Sequence, residues 1–175
     1  MLAGRLRQPR PRSRLLPLRL ARGLWTLPTN ILGHLAGLLV SGRLPRRVGG
    51  PAAVGWLYPI RAGLGLDWMG AVTLGHAILH RPGMLDGPSR EARLTLAHEL
   101  AHTRQHDRLG PLYLPLHILS QAASALLTRG KPITVSRVHD LNLLEQTLIA
   151  IPASAPYAPH ASEAEVSAAL AAFGV

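Results

Sequence analysis

Residues 89–111 read SREARLTLAHELAHTRQHDRLGP, a long segment in which the apolar spacing, the caps and the charges all indicate a helix. The spacing of its apolar residues predicts a helix over residues 90–109. Ser89 is the expected N-cap, because its short hydroxyl side chain accepts a hydrogen bond from the first turn. Gly110-Pro111 ends the helix, since proline cannot continue it. The rest of the chain is expected to pack around this helix.

The centre of the helix carries the pentad HELAH at residues 98–102. His98 and His102 are four residues apart, so both imidazoles project from one face and can bind a single metal ion. That arrangement suits Zn²⁺, and Glu99 is placed to accept a proton from metal-bound water. The alternative is a buried helix whose histidines form hydrogen bonds without a metal.

The composition limits how such a metal can be held. The chain has 175 residues, of which 47% are hydrophobic, and this is enough for one domain with tails. It contains no cysteine, which excludes disulfides, thiolate ligands and cysteine nucleophiles. Any metal must therefore be bound by histidines and carboxylates.

The net charge of +10 is concentrated in the first part of the chain. Residues 1–66 contain eleven arginines and no acid, whereas residues 67–175 contain eight basic and nine acidic residues. A basic arm on a nearly neutral body indicates an anionic partner. We favour a lipid surface over nucleic acid, because arginines do not alternate with exposed aromatic residues and Trp25 belongs to an apolar run.

The chain divides into four parts. We expect a basic flexible leader over residues 1–22, an apolar membrane-associated or packing helix over 23–47, a metal-binding domain over 48–151, and a Pro/Ala linker with a short C-terminal helix over 152–175. Pro17 and two earlier prolines argue against a long helix in the leader. The leader lacks the apolar core and cleavage site of a secretory signal, so the expected location is membrane-associated or cytoplasmic.

Residues 23–42 form an uncharged, leucine-rich run of 20 residues with arginines on both sides. Its length would allow a membrane span, but Pro28 and Asn30 weaken that interpretation. Three possibilities stay open: a helix lying on a membrane surface, a true span, or a helix buried in a soluble fold.

The region before the motif helix carries the expected β structure. Residues 49–65 are rich in Gly and Pro and predict a connection with one short extended piece near 54–58. Residues 71–79 are β-prone and predict a strand. Gly75 in its middle would allow another backbone to approach closely, as a substrate strand does at a sheet edge.

The region after the motif helix is expected to be mostly helical. The predicted elements are a helix from residue 115 or 116 to 128, an extended linker over 133–138, a helix over 141–151 capped by Asp140, and a helix ending at Phe173. Ser162 and Glu165 form the capping box of the last helix.

A catalytic zinc ion usually has three protein ligands, so one more is needed. Asp107 lies five residues past the second motif histidine and points to a different face of the helix. Asp140 is used as a cap, and the last two acids, Glu163 and Glu165, belong to the C-terminal helix cap. We therefore choose Glu145 as the third ligand. The competing candidates are His106, His117 and His139.

The runs at residues 98–105 and 109–115, with TLG at 73–75, His139-Asp140 and Glu145, resemble small bacterial zincin-like proteins of unassigned function. The resemblance covers about residues 67–150. More broadly, the pattern is similar to gluzincins, in which two motif histidines and a glutamate from a later helix bind zinc. The resemblance implies a zinc metallopeptidase fold and no particular substrate.

These observations predict an α-rich α+β fold, with the zincin-like motif helix packed on further helices and a small β element at about residues 71–79. The expected function is zinc-dependent hydrolysis of a peptide or protein at or near a membrane, with Glu99 as the base. Tyr113 or His139 would donate a hydrogen bond to the oxyanion. The alternatives are a non-catalytic membrane-associated metal-binding or interaction protein and, less favoured, a basic nucleic-acid-binding protein.

Overall fold

The computed structural model describes residues 16–66, 70–128, 142, 144, 145 and 162–175. It shows a helix-rich α+β fold with one small sheet, as predicted. The elements in chain order are α1 (Leu16–Ser41), β1 (Arg46–Gly50), β2 (Ala53–Pro59), β3 (Ala71–Leu74), β4 (Ala77–His80), α2 (Arg90–Leu109), a 3₁₀ turn (Gly110–Leu112), α3 (Tyr113–Leu127) and α4 (Glu163–Phe173).

The four strands form a sheet of order β1-β2-β4-β3. Strands β1 and β2 pair antiparallel, β2 and β4 pair parallel, and β3 and β4 pair antiparallel. The predicted extended piece at 54–58 lies within β2, but β1 was not predicted because its sequence RRVGG has few β-forming residues.

The prediction of one strand over residues 71–79 was wrong, because the chain reverses there. Gly75 has a φ of +66°, which favours glycine, and it forms the turn between β3 and β4 with His76. Another element does approach Gly75 closely: a β-carbon on Gly75 would lie 2.5 Å from Oδ1 of Asn30. The neighbour is thus α1 of the same chain.

The sheet has a hydrophobic core on each face. Because side chains alternate along a strand, Leu57 and Ile78 point to one face and Tyr58 to the other. Leu57 and Ile78 pack in a cluster with Leu100 of α2 and Phe173 of α4. The opposite cluster is covered by α1. Helix α2 is therefore held against the sheet by large apolar side chains.

Helix α1 differs from its prediction at both ends. It begins at Leu16, with Pro17 in its first turn, so the expectation that Pro17 would prevent a long helix was wrong. Proline is tolerated there because the first helical N–H groups have no partner within the helix. The helix ends at Ser41 instead of 47, because residues 46–50 form β1. None of the helices in the described residues is both long enough and apolar enough to cross a bilayer.

The small residues of α1 face inward and its large apolar residues face outward. The buried face consists of Thr26, Thr29, Gly33, Gly37 and Ser41. A β-carbon on Gly37 would lie 2.6 Å from the ring of Tyr58, so the helix axis is unusually close to the sheet. The exposed face contains Leu24, Trp25, Leu27, Ile31, Leu32, Leu35, Leu38 and Leu39.

The other described helices agree with their predictions. Helix α2 begins and ends where expected, with the Ser89 hydroxyl accepting a 3.1 Å hydrogen bond from the backbone of Ala92. Helix α3 was predicted to begin at residue 115 or 116 and begins at Tyr113. Helix α4 has the predicted capping box. The leader to residue 15, the linker at 133–138, Asp140 as a cap and the linker at 152–159 lie outside the described residues.

Candidate metal centre

Three predicted ligands meet beside the middle of α2. His98 Nε2 lies 3.0 Å from His102 Nε2, as expected for histidines one helical turn apart. Oε2 of Glu145 lies 3.2 Å from the first nitrogen and 3.0 Å from the second. The three atoms therefore form an almost equilateral triangle.

This triangle fits a zinc ion. Ligand atoms of a tetrahedral zinc site are separated by about 3.3 Å, because each lies about 2.0–2.1 Å from the ion. The side chains of His98, His102 and Glu145 are only 5–7% exposed. A buried carboxylate beside two imidazoles is costly unless it is paired, and a divalent cation is a suitable partner.

Glu145 reaches the triangle from a turn that is tied to α2. Its backbone N–H donates to the carbonyl of Asn142, and the side chain of Asn142 accepts from the N–H of Leu144. The carbonyl of Leu144 accepts a 2.7 Å hydrogen bond from Nε2 of Gln105. The predicted helix at 141–151 lies mostly outside the described residues, and Glu145 itself lies in a turn.

Gln105 is a site residue that the sequence interpretation missed. Its Nε2 donates to Leu144, so its Oε1 is an acceptor and lies 2.8 Å from Nδ1 of His102. The Nδ1–H of His102 therefore points at Gln105, which directs Nε2 toward the triangle. The spacing of three residues from His102 to Gln105 was the signal available in the sequence.

The two motif histidines have different electrostatic environments. Burial, together with the charge of His102, lowers the pKa of His98. Burial also acts to lower the pKa of His102, but the hydrogen bond that its imidazole donates to Glu145 and the negative charge of that carboxylate outweigh this and raise the pKa to about 9. The raised pKa favours the protonated form of His102, which pairs with the carboxylate of Glu145.

Glu99 is buried beside the triangle and is held by β3. Its Oε2 accepts a 2.6 Å hydrogen bond from the hydroxyl of Thr73. Its negative charge acts on the pKa values of His98, His102 and Tyr113, so the carboxylate lies near all three. The structure thus places the predicted base next to the candidate ligands without including it among them.

The predicted oxyanion donors are Tyr113 and His139, and the second lies outside the described residues. Tyr113 is buried at the start of α3, with its ring centroid 6.3 Å from that of His102. Burial, with the charges of Glu99 and Glu145, raises its pKa well above the usual value, so the phenol stays protonated.

Two of the competing third ligands are described, and neither belongs to the triangle. His117 on α3 has its Nε2 3.7 Å from Oε1 of Glu145, which is not the oxygen that belongs to the triangle. His106 lies one turn beyond His102 and groups instead with His76 and Asp107. Asp107 points away from the triangle, as predicted, and its Oδ1 lies 2.9 Å from Nε2 of His76.

The fold and this cluster define an α+β protein with a candidate metal-binding HExxH helix. A family model described as the eCIS core domain matches residues 69–110. The matched segment includes β3, β4 and α2, with His98, Glu99 and His102, but it ends before Glu145. No curated protein and no solved structure gives a significant match to the chain.

Proposed function

We propose that this protein is a zinc-dependent metallopeptidase-like hydrolase of the gluzincin type. The observation that carries the proposal is the buried triangle of His98 Nε2, His102 Nε2 and Glu145 Oε2, with sides of 3.0–3.2 Å. These residues would hold the ion. Zinc in such a site supplies a Lewis acid for a substrate carbonyl and lowers the pKa of bound water to about 7.

The residues of the chain would perform the proton transfers. Glu99 accepts the proton of the attacking water and delivers it to the leaving amine of the peptide bond. Thr73 positions that carboxylate through its 2.6 Å hydrogen bond. Tyr113 stays protonated because of its burial and two nearby carboxylates, so it can donate a hydrogen bond to the developing oxyanion. His139 is the second candidate donor.

The position of β3 supports an extended peptide as the substrate. Within the sheet of the described residues, β3 is an edge strand, and its residue Thr73 donates a hydrogen bond to Glu99. A peptide that pairs with an outer strand forms main-chain hydrogen bonds and lies parallel to the strand. Such a peptide on β3 would run past the carboxylate of Glu99.

We also propose that the outward face of α1 rests on an anionic lipid surface. Leu24 and Leu39 on this face are 71% and 74% exposed. The eleven arginines before residue 67 occur without any acid, so this part of the chain complements anionic headgroups. Substrate cleavage would then occur at or near a membrane, and the protein would be membrane-associated.

The hydrolase proposal is tested with purified, untagged protein and a fluorescent peptide library. We expect bound zinc, peptide cleavage and loss of cleavage after treatment with a chelator. Glu99→Gln should keep the zinc and lose at least 100-fold in kcat. Glu91→Gln, in the exposed first turn of the same helix, is the matched control and should behave as wild type. Unchanged cleavage by Glu99→Gln would contradict the proposed mechanism.

The lipid proposal is tested by sedimentation with phosphatidylcholine vesicles, with and without phosphatidylglycerol. We expect binding only to the anionic vesicles, and weaker binding at high salt. The double variant Leu35→Gln/Leu39→Gln should lose binding, because both residues lie on the outward face. Val175→Gln, at a position that is as exposed as Leu35 but lies outside α1, is the control. Equal binding by the double variant would contradict the proposal.

A non-catalytic metal-binding protein is the second candidate function. The observation that favours it is the low exposure of the candidate ligands, 5–7% for their side chains, together with a large outward apolar face on α1. In such a protein the zinc ion would stabilise the fold. The protein would act by binding a membrane partner and would not cleave a substrate. The Glu99→Gln variant separates the two, because a binding protein would keep both its zinc and its full function.

A further inference from the structure

A second cluster of ligand-type side chains lies at the C-terminal end of α2. It consists of His76 from the β3–β4 turn and His106 and Asp107 from the helix. One potential ligand atom from each residue lies within 4.8 Å of the other two. Nε2 of His76 is 2.9 Å from Oδ1 of Asp107, and the rings of His76 and His106 meet edge to face with centroids 5.4 Å apart.

His106 has an unusual environment for a buried imidazole. Its exposed fraction is 0%, and within the part of the chain that the structure describes neither ring nitrogen has a hydrogen-bond partner. A buried polar group without a partner costs about 1–3 kcal/mol. Burial and the charge of His76 lower the pKa of His106 to about 4, so the ring is neutral and has a free lone pair.

Helix geometry explains why His106 does not join the first triangle. Each residue advances about 100° around a helix and about 1.5 Å along its axis, so residues eight apart differ by about 80° in direction and lie about 12 Å apart along the axis. His98 and His106 therefore point to different sides of α2. The first faces Glu145, and the second faces the β3–β4 turn.

The turn that carries His76 is fixed in place. The backbone N–H of His76 donates a 2.8 Å hydrogen bond to Oδ1 of Asn30 on α1. Gly75 provides the positive φ that this turn needs, with no space for a side chain. The imidazole of His76 is thus presented to α2 by a rigid backbone, as a metal ligand requires.

The cluster can be reached from outside the core. A cavity of about 270 Å³ is lined by His76 and Asp107 together with residues of α1 and β2. A second cavity, of about 370 Å³, adjoins Asp107 from the side of Arg104 and Arg108. An ion could therefore enter, and water could complete its coordination.

We propose that His76, His106 and Asp107 form a second divalent metal site, independent of the first. Two imidazoles and one carboxylate suit Zn²⁺ or another borderline transition metal better than Ca²⁺ or Mg²⁺, which prefer oxygen ligands. The ion satisfies the buried His106 and joins the β3–β4 turn to α2. Because β3 also carries Thr73, this site stabilises the strand that positions Glu99.

The test is the metal stoichiometry of the full-length, untagged protein. The metal-free protein is titrated with Zn²⁺ in a calorimeter, and bound metal is then counted by mass spectrometry. We expect two ions per chain for wild type. The variants His76→Ala and Asp107→Asn should each bind one ion, and so should the double variant His98→Ala/His102→Ala. His34→Asn, outside both clusters, should bind two.

Each possible result has a meaning. The proposal would be overturned if His76→Ala and Asp107→Asn both bind as many ions as wild type, whether wild type binds one ion or two. The test substitutes His76, whose side chain is 19% exposed, because substitution of the buried His106 could prevent folding. Binding of one ion by His98→Ala/His102→Ala also separates this site from the proposed hydrolase site, whose failure would leave it intact. Circular dichroism of each variant confirms folding.

Discussion

The hydroxyl of Thr73 on β3 donates a 2.6 Å hydrogen bond to Oε2 of Glu99 on α2. Both residues are buried, with exposed fractions of 6% and 4%. This contact joins the sheet to the second residue of the HELAH pentad and fixes the direction of its carboxylate. The orientation of the proposed base therefore depends on β3 as well as on its own helix.

Thr73→Val should lower kcat by about 10-fold or more, because a misdirected general base loses part of its contribution. The zinc content should not change, since the hydroxyl of Thr73 donates to Glu99, which is not one of the candidate ligands. Thr73→Ser keeps the hydroxyl and should restore kcat. Steady-state kinetics of the two variants measure kcat, and metal analysis measures their zinc content. A serine variant as slow as the valine variant would show that the hydroxyl is not responsible.

Gln105→Leu should weaken zinc binding about 10–100-fold, because residues that orient a metal-bound imidazole have effects of this size. The substitution removes the acceptor for Nδ1 of His102 and the donor to Leu144. Competition with a coloured chelator gives the affinity. Arg104→Gln, one position earlier on α2, is the control and should bind zinc normally. Equal affinity for the two variants would contradict the role of Gln105.

Glu145→Gln should abolish tight zinc binding at the site of His98 and His102, because the amide lacks the negative charge that pairs with the ion. Glu163→Gln is the control, since that carboxylate is at the surface and pairs with Arg93. Both variants should show the same helix content in circular dichroism. Zinc retained by Glu145→Gln at wild-type affinity would assign the third ligand to another residue.

Gly37→Ala should destabilise the protein by about 1–3 kcal/mol, because the new methyl group would overpack the interface with Tyr58. A β-carbon at this position would lie 2.6 Å from atoms of the tyrosine ring. Gly23→Ala is the matched control on the same helix, where no atom lies within 4 Å. It should stabilise the protein by up to about 1 kcal/mol through helix propensity. The urea midpoint of unfolding should fall for Gly37→Ala and rise for Gly23→Ala.

Burial of His34 should make the free energy of unfolding decrease at acid pH. Burial lowers its pKa below 6.5, so the unfolded state binds a proton more readily than the folded state. Its contribution to stability is complete above pH 6.5 and is lost as the pH falls toward the lowered pKa. The free energy of unfolding in excess chelator should fall more steeply between pH 7 and 5 for wild type than for His34→Gln, which keeps a partner for Tyr58. Parallel curves would exclude this contribution.

The helices of the motif region were predictable because their signals are local. A cap at Ser89 and a stop at Gly110 lie within a few residues of the helix ends, and the capping box of Ser162 and Glu165 is equally short-range. The histidine pair follows from helical periodicity alone. Glu145 was chosen by eliminating other carboxylates, and the structure brings it to the predicted pair.

The missed features depend on contacts between distant parts of the chain. Strand β1 exists because it pairs with β2, although its own sequence is a poor strand former. The hairpin turn at Gly75 is stabilised by Asn30, which is 46 positions from His76 in the chain. The cluster of His76, His106 and Asp107 combines two elements whose juxtaposition no local pattern gives. These contacts become visible only once the sheet order is known.

Helix α1 has its small residues inside and its leucines outside, and this distribution changes how its substitutions should be interpreted. In most helices a leucine marks an intolerant position, but Leu32 and Leu39 contact solvent while Gly33 and Gly37 lie against the sheet. Glutamine or lysine in place of the outward leucines should therefore leave the fold intact and increase solubility. Even a methyl group on the inward glycines should destabilise the fold. For this helix, the side-chain size that the neighbouring sheet can accommodate is a better guide to mutational tolerance than hydrophobicity.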